Sequence, residues 1–497
     1  MRQLISFSRV ATVLALVSSP LLAKVTFAPL FQDGAVLQRE TPLPIWGTAD
    51  PGEVIEVNIL GRFGSAVANE AGQWRLTLPP LPATSIPMTL DYVDATGKHQ
   101  LTNILVGDVW LCGGQSNMEF PLRSVNDAEA EIAAADYRFI RHIKIGRNIA
   151  RDPITTASGT WVTCTPETAP HFTAVGYFFA RDVYAQTKIP IGLVDSNWGG
   201  TSAEAWLPPS AYDDLSLRVA ATSHQAVAFQ GIADRLADYQ AKLEAWTAEP
   251  GDAKKPGAPW TPGAENHALV LNNAMIAPLA PYALRGVIWY QGEANADEPA
   301  TYREIFGGVI QAWRTQFEQP DLPFYWVQLA NWGGGDPDDT DWAFLREAQT
   351  QTLELPYTGQ AITIDIGERD DIHPRNKQDV GNRLARLALA RTYGHEIADT
   401  GPTFTSADVD GPTITVSFDH ATGLHPKDGA PPLGFELAGA DGVFHPATAT
   451  LDGNRVILTA TEVAHPLYVR YAWYRHLEVN LLNADDLPAA PFRTDTF

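Results

Sequence analysis

The first candidate for chemistry is a serine in a glycine turn, Gly113-Gly114-Gln115-Ser116-Asn117-Met118. Glycine lets the backbone bend sharply, so the Ser116 hydroxyl can stand exposed, as an activated nucleophile must. Far along the chain, Gly367-Glu368-Arg369-Asp370-Asp371-Ile372-His373-Pro374 supplies a histidine with carboxylates close by. An imidazole of ordinary pKa, about 6.5, can take a hydroxyl proton at neutral pH and return it to a leaving alcohol. Either Asp370 or Asp371 can hold the second ring nitrogen and stabilise the imidazolium. The backbone N–H groups of Ser116 and Gly200, with the side-chain amide of Gln291, can receive the oxygen that turns negative when a carbonyl is attacked; each such donor is worth about 2.7–4 kcal/mol in the transition state. Gln115, Asn117 and Glu293 are candidates for contacting substrate or for supporting these groups. The set is machinery for acyl transfer and calls for no metal and no cofactor.

Each segment also has a purely structural reading. Gly-Gly-Gln-Ser can be a tight turn with Ser116 or Asn117 capping a helix. Asp371 with Pro374 can mark a helix start, and Glu293 can simply orient Gln291 or its loop. What favours chemistry is where the segments fall. The serine turn follows an apolar run, Asp108 to Cys112. Ser196-Asn197-Trp198-Gly199-Gly200-Thr201 follows Ile191 to Asp195, Gln291 to Ala296 follows Gly286 to Tyr290, and the histidine segment follows Ala361 to Ile366. In an open parallel sheet, segments that each follow a strand converge on one edge, where such folds bind ligands.

The elements that must position these groups are legible in the periodicity. Phe324 to Leu329 is a fifth candidate strand, and several of these runs are apolar on both alternating faces, as strands covered by helices must be. Helical periods run over Val175–Gln186, Tyr302–Phe317, Trp342–Leu353 and Lys377–Tyr393, with Gly394 placed to end the last. The alternation predicts an α/β class: a mostly parallel sheet flanked by helices, over about residues 106–400. Short alternating runs such as Val54–Ile59 and Trp74–Leu78 predict a β-sandwich-like N-terminal region, residues 24–105. Thr413–Phe418, Arg455–Thr459 and Tyr468–Trp473 predict a β-rich C-terminal region, residues 401–497. About residues 208–263 break the alternation: Ile232, Leu236, Tyr239, Leu243 and Trp246 form a helical stripe before a Pro/Gly-rich stretch. This is either an insertion at the sheet rim or a crossover helix with a long linker.

Composition narrows the function classes. The chain has 497 residues, 45% of them hydrophobic, which suits large buried cores. Its 35 basic and 58 acidic residues give a net charge of -23, a poor match for nucleic acid. Two cysteines, Cys112 and Cys164, make no disulfide scaffold and leave one bridge or two free thiols. Arg2, Arg9 and the apolar stretch Val10–Leu22 read as a signal peptide, residues 1–23, cut near Ala23. No later stretch approaches about 18 apolar residues, so the expectation is a secreted or periplasmic protein free of the bilayer.

Taken together, the blocks resemble the sialate O-acetylesterase family, a branch of the SGNH (GDSL-type) hydrolases, over essentially the whole chain after the signal peptide. Gly-Gln-Ser-Asn-Met around Ser116 resembles the nucleophile block, and Asn197 to Trp206 the glycine block. Trp289-Tyr290-Gln291-Gly292-Glu293 resembles the third block, with glutamine in place of asparagine, and Asp371-Ile372-His373-Pro374 with Asn376-Lys377 the histidine block. Leu487 to Asp495 resembles the family's ending, whereas Asp485-Asp486 departs from its usual glycine turn. The resemblance implies an SGNH-like fold and a carbohydrate O-acetylesterase working through a serine acyl-enzyme. The superfamily spacing points to Asp370 as the histidine's partner and the family pattern to Asp371, which is preferred. The expected substrates are acetylated plant cell-wall polysaccharides or oligosaccharides, with O-acetylated sialic acids second; fourteen tryptophans could offer flat faces to neutral sugars. A carboxylate-bearing sugar would want a cation, and Arg123, Arg346 and Arg369 lie near the relevant segments. The alternatives are a glycoside hydrolase using Glu293 with Asp370 or Asp371, and a non-catalytic carbohydrate-binding protein. The sequence leaves the oligomeric state open.

Overall fold

Cys112 and Gly113, neighbours at the end of one strand, show how the central layers are built. A strand sends successive side chains to opposite faces. A Cβ on Gly176, in the helix Ala174–Thr187, would lie 3.1 Å from Cys112 Sγ, whereas a Cβ on Gly113 would meet Trp289 and Trp313, the latter from the helix Tyr302–Gln316. Helices therefore cover both faces of this sheet. The computed structural model describes residues 25–249, 255–259, 261–334, 339–427 and 429–497; the expected signal segment lies outside them.

The strand order in the central sheet is Val162–Cys164, Tyr137–Lys144, Ile191–Asn197, Gly97–Gly114, Gly286–Tyr290, Phe324–Val327, Thr358–Ala361. All neighbours along this path pair in parallel except Val162–Cys164, which is antiparallel to Tyr137–Lys144. Ile191–Asn197 and Gly286–Tyr290 are buried along their whole length, which explains their unbroken apolar text. The strand Gly97–Gly114 runs on through both regions: its first half pairs antiparallel with Thr84–Asp94 and parallel with Val36–Gln38. The N-terminal β region is thus joined to the central sheet by a shared strand. A second small sheet, Thr26–Phe27, Leu43–Thr48 and Gln73–Leu78, belongs to the same region.

Helix Lys377–Arg391 packs closely on Ala174–Thr187 at Gly381, where a Cβ would come within 2.5 Å of Phe178 Cβ. Asn376 caps it, its Oδ1 accepting the Asp379 N–H at 3.1 Å. The C-terminal region carries two four-stranded antiparallel sheets around its own apolar core.

Two expectations need correction. The strand placed at Ala361 to Ile366 is Thr358–Ala361. Ile362 and Ile364 are apolar because they pack in the C-terminal core, and Arg383 ties this segment down through Ile362 O and the Asp365 carboxylate. Among the described residues of 208–263 there are two α-helices, Leu215–Phe229 and Ile232–Ala248, of which periodicity exposed only the second. Cys112 and Cys164 are both buried free thiols. Among the described residues no helix is long and apolar enough to cross a membrane.

Candidate active site

Ser116 is the first residue of a one-turn helix, Ser116–Glu119, entered directly from the end of the central strand. Gly114 makes the turn at φ +134°, and a Cβ there would fall 2.2 Å from Tyr290 O, so no other residue fits. As an opening helical residue, Ser116 has a backbone N–H without an intrahelical acceptor. Ser116 Oγ lies 2.8 Å from His373 Nε2. Segments 257 residues apart in the chain thus meet at hydrogen-bond distance.

Asp371 accepts the backbone N–H of His373 on Oδ1 at 2.8 Å, and the same oxygen stands 3.6 Å from His373 Nδ1. Asp370 is exposed and makes no ion pair or hydrogen bond with the imidazole among the described residues. Of the two carboxylates, Asp371 is the one beside the ring. Burial and the nearby Lys377 charge lower the His373 pKa, with Asp371 opposing them, so the ring stays neutral at neutral pH. A neutral ring with its Nδ1 proton toward Asp371 leaves Nε2 to accept the Ser116 proton.

The glycine turn after Ile191–Asn197 presses against the serine: a Cβ on Gly199 would lie 3.1 Å from Ser116 Cβ. Gly199 N–H donates to Glu119 Oε2 at 2.8 Å. Arg147 grips the Glu119 carboxylate, with contacts of 2.7 and 2.6 Å from Nη2, and stacks its guanidinium over Trp198 at 5.3 Å. Gly200, at φ +76°, follows with its N–H on the same turn.

Gln291, expected as an oxyanion donor, has its amide engaged by neighbouring loops in this structure. The residue is fully buried, and its Nε2 donates to Asn295 Oδ1 at 2.6 Å and Thr201 O at 3.2 Å. Its Oε1 accepts from the Tyr302 hydroxyl at 2.9 Å. The amide joins the third block to the glycine block instead. Gln115 has a similar task, its Oε1 accepting Ala294 N–H at 3.2 Å and Gly292 N–H at 3.4 Å. Asn117 bridges Glu293 Oε1 at 2.5 Å and Ile372 O at 2.9 Å. Burial raises the Glu293 pKa, with the Asn117 hydrogen bond and Lys377 opposing.

Three residues that sequence reasoning gave no role enter this arrangement: Glu119, Asn295 and Lys377. Glu119 lies three positions after Ser116, one turn along a helix, and that spacing was the signal for it. Asn295 and Lys377 are polar residues buried by tertiary packing, which leaves no local trace. Of the arginines considered for a sugar carboxylate, Arg346 is fully buried and spends its donors on backbone carbonyls of Leu329, Ala330, Tyr474 and Arg475. Arg123 is exposed and contacts His171 Nδ1 at 3.0 Å, and Arg369 is exposed beside Gly333. Trp206 and Trp289 are core residues; Trp198 and Trp332 are partly exposed.

This chain is similar to proteins of known class. A family model described as carbohydrate esterase, sialic acid-specific acetylesterase, matches residues 106–250 and 246–390. The mouse sialate O-acetylesterase is 29% identical over 428 residues, covering 78% of this chain and 77% of that protein. The human sialate O-acetylesterase is 28% identical over 410 residues, covering 74% and 71%. The crystal structure of a carbohydrate acetylesterase from Xanthomonas citri superimposes with a TM-score of 0.82 at 40% identity, over 95% of this chain and 100% of that one. The chain is an ester hydrolase belonging to the carbohydrate esterase family of sialic acid-specific acetylesterases.

Proposed function

We propose that this chain is an exported carbohydrate O-acetylesterase of SGNH type that works through an acetyl-serine at Ser116. The observation that carries the reading is the 2.8 Å approach of Ser116 Oγ to His373 Nε2. Ser116 Oγ attacks the acetyl carbonyl carbon as His373 Nε2 takes the hydroxyl proton. The carbonyl oxygen becomes negative and is received by the N–H groups of Ser116 and Gly200. The tetrahedral adduct collapses, the imidazolium gives its proton to the sugar oxygen, and the deacetylated sugar leaves. Water, deprotonated by the same ring, then cleaves the acetyl-serine and releases acetate. Asp371 faces Nδ1 and stabilises the imidazolium formed in each half-reaction.

The substrate assigned is an acetylated neutral sugar of plant cell-wall type. Arg346 is committed to backbone carbonyls and Arg147 to Glu119, so these two cations are already engaged. The names of the mammalian relatives favour a second reading, O-acetylated sialic acid. Acetate release from acetylated xylan or xyloglucan, measured beside release from O-acetyl sialic acid, separates the two. Ser116→Ala should abolish release from every acetylated sugar while leaving the melting temperature near that of the unmodified protein. Retained turnover would move the nucleophile elsewhere.

A further inference from the structure

Lys377 stands where a lysine is hard to accommodate. It is the first residue of the helix Lys377–Arg391, and its side chain is fully buried. The helix dipole disfavours a cation at that end, and burying an ammonium costs several kcal/mol unless it is well paired. Among the described residues no carboxylate lies within ion-pair distance of Nζ. It donates instead to Asn117 Oδ1 at 2.5 Å, between the rings of Phe120 and Tyr290 at 5.1 and 5.3 Å. Asn117 passes the contact on, to Glu293 Oε1 and to Ile372 O. Ile372 directly precedes His373, and Asn117 directly follows Ser116. One buried polar chain therefore links a cation to the residues flanking both members of the reacting pair. An apolar residue would fill the same space at lower cost, so packing alone does not account for a lysine here.

We propose that Lys377 is a positioning residue for the serine–histidine pair: through Asn117 it fixes the nucleophile turn against the histidine loop. The inference rests on Ser116 and His373 being the reacting pair. Every element around the imidazole enters the balance. The nucleophile helix presents Ser116 Oγ, Phe120 stacks beside the ring at 6.3 Å, the ring's own loop brings Asp371, and the following helix brings Lys377. Lys377 in turn feels Glu293, Glu368 and Asp371, which raise its pKa against burial; burial wins, and it falls to about 7. Below that pH the ammonium is charged, and His373, lowered beneath its ordinary value, takes its proton in that same range. The repulsion thus acts where it preserves the base.

The test is kcat and kcat/KM against pH with an acetylated xylo-oligosaccharide, for the unmodified enzyme, Lys377→Met, Lys377→Arg and Ser116→Ala, with folding followed by circular dichroism. The unmodified enzyme should lose kcat/KM on acidification with a midpoint below the ordinary imidazole value of about 6.5. Lys377→Met should move that midpoint upward and lower kcat by about tenfold or more, with KM changed far less. Lys377→Arg, which keeps the charge, should restore the midpoint. A folded Lys377→Met with the midpoint unmoved, or Lys377→Arg displaced as far as Lys377→Met, overturns the proposal. Should either lysine variant fail to fold, Asn117→Ala decides: a fall in kcat with the midpoint kept supports the relay, and an unchanged kcat overturns it. Turnover by Ser116→Ala would instead refute the underlying mechanism, so the two failures are told apart.

Discussion

Glu119 shows how a residue away from the reacting atoms can govern them. By accepting the Gly199 N–H it consumes one donor of the glycine turn and fixes the orientation of the next peptide, which carries the Gly200 N–H. Arg147, and Lys144 at 3.7 Å, hold the carboxylate in place. Glu119→Ala should therefore release the turn and lower kcat by about 10- to 100-fold, less than the roughly 100- to 1000-fold for outright loss of one oxyanion donor because the Gly200 N–H is misdirected rather than removed, with KM little changed. Glu119→Gln, which can still accept from Gly199, should lose much less; equal losses in steady-state kinetics would remove Glu119 from this role. Gln291 teaches the complementary lesson. A side-chain amide at a strand end can face either the substrate or the neighbouring loops, and only the positions of Asn295, Thr201 and Tyr302 decide which. Sequence names the donor without its direction.

Among the elements, one central strand and two of the helices that flank the sheet were the most legible. Gly286–Tyr290 appears with the bounds its apolar run predicted, and the helices Tyr302–Gln316 and Lys377–Arg391 lie within two residues of their periodic stretches. Legibility failed where an apolar residue serves a core other than the expected one, as Ile362 and Ile364 do, and where helical periodicity is diluted, as in Leu215–Phe229 with its small and polar residues. That helix is tethered by His224, which is fully buried, with Nδ1 2.6 Å from Glu204 Oε1 and Nε2 3.3 Å from Asp297 Oδ1. Glu204 also accepts from Asn295, the partner of Gln291, so the tether reaches the loops around the serine. Burial alone would lower the His224 pKa, but the hydrogen bonds and charges of Asp297 and Glu204 outweigh it and raise it to about 10. A pKa raised in the folded state gives stability that is full below the unfolded value of about 6.5 and disappears as pH climbs through the folded value. The stability of the protein should therefore decline between about pH 6.5 and 10, and His224→Leu should flatten that decline. Parallel urea titrations across this window would show it; identical slopes in the two proteins would rule out His224 as the cause.

At the scale of the whole molecule, the C-terminal β region holds the segment that lies against the histidine loop. Arg346 joins the carbonyls of Leu329 and Ala330, just beyond a central strand, to those of Tyr474 and Arg475. Asn331 donates to Leu477 O, Trp332 N–H to Arg475 O, and Gly333 N–H to Arg369 O. Gly367 passes so close to this segment that a Cβ would fall 2.1 Å from Asn331 O. The histidine loop is therefore braced by a strip that the C-terminal region itself holds. Removing the guanidinium leaves several buried carbonyls without donors, each costing about 1–3 kcal/mol where water cannot replace the bond. Arg346→Met should accordingly lower the melting temperature markedly, and at temperatures where it is still folded its kcat should fall, because Arg369 and His373 lose their brace. Arg493→Ala, which removes a bidentate pair with Glu347, a contact to Asp495 and stacking on Phe344 and Trp473, controls for general loosening: it should lower the melting temperature while leaving turnover below the transition unchanged. If Arg346→Met melts early yet keeps full turnover below its transition, the region stabilises the chain without positioning the histidine.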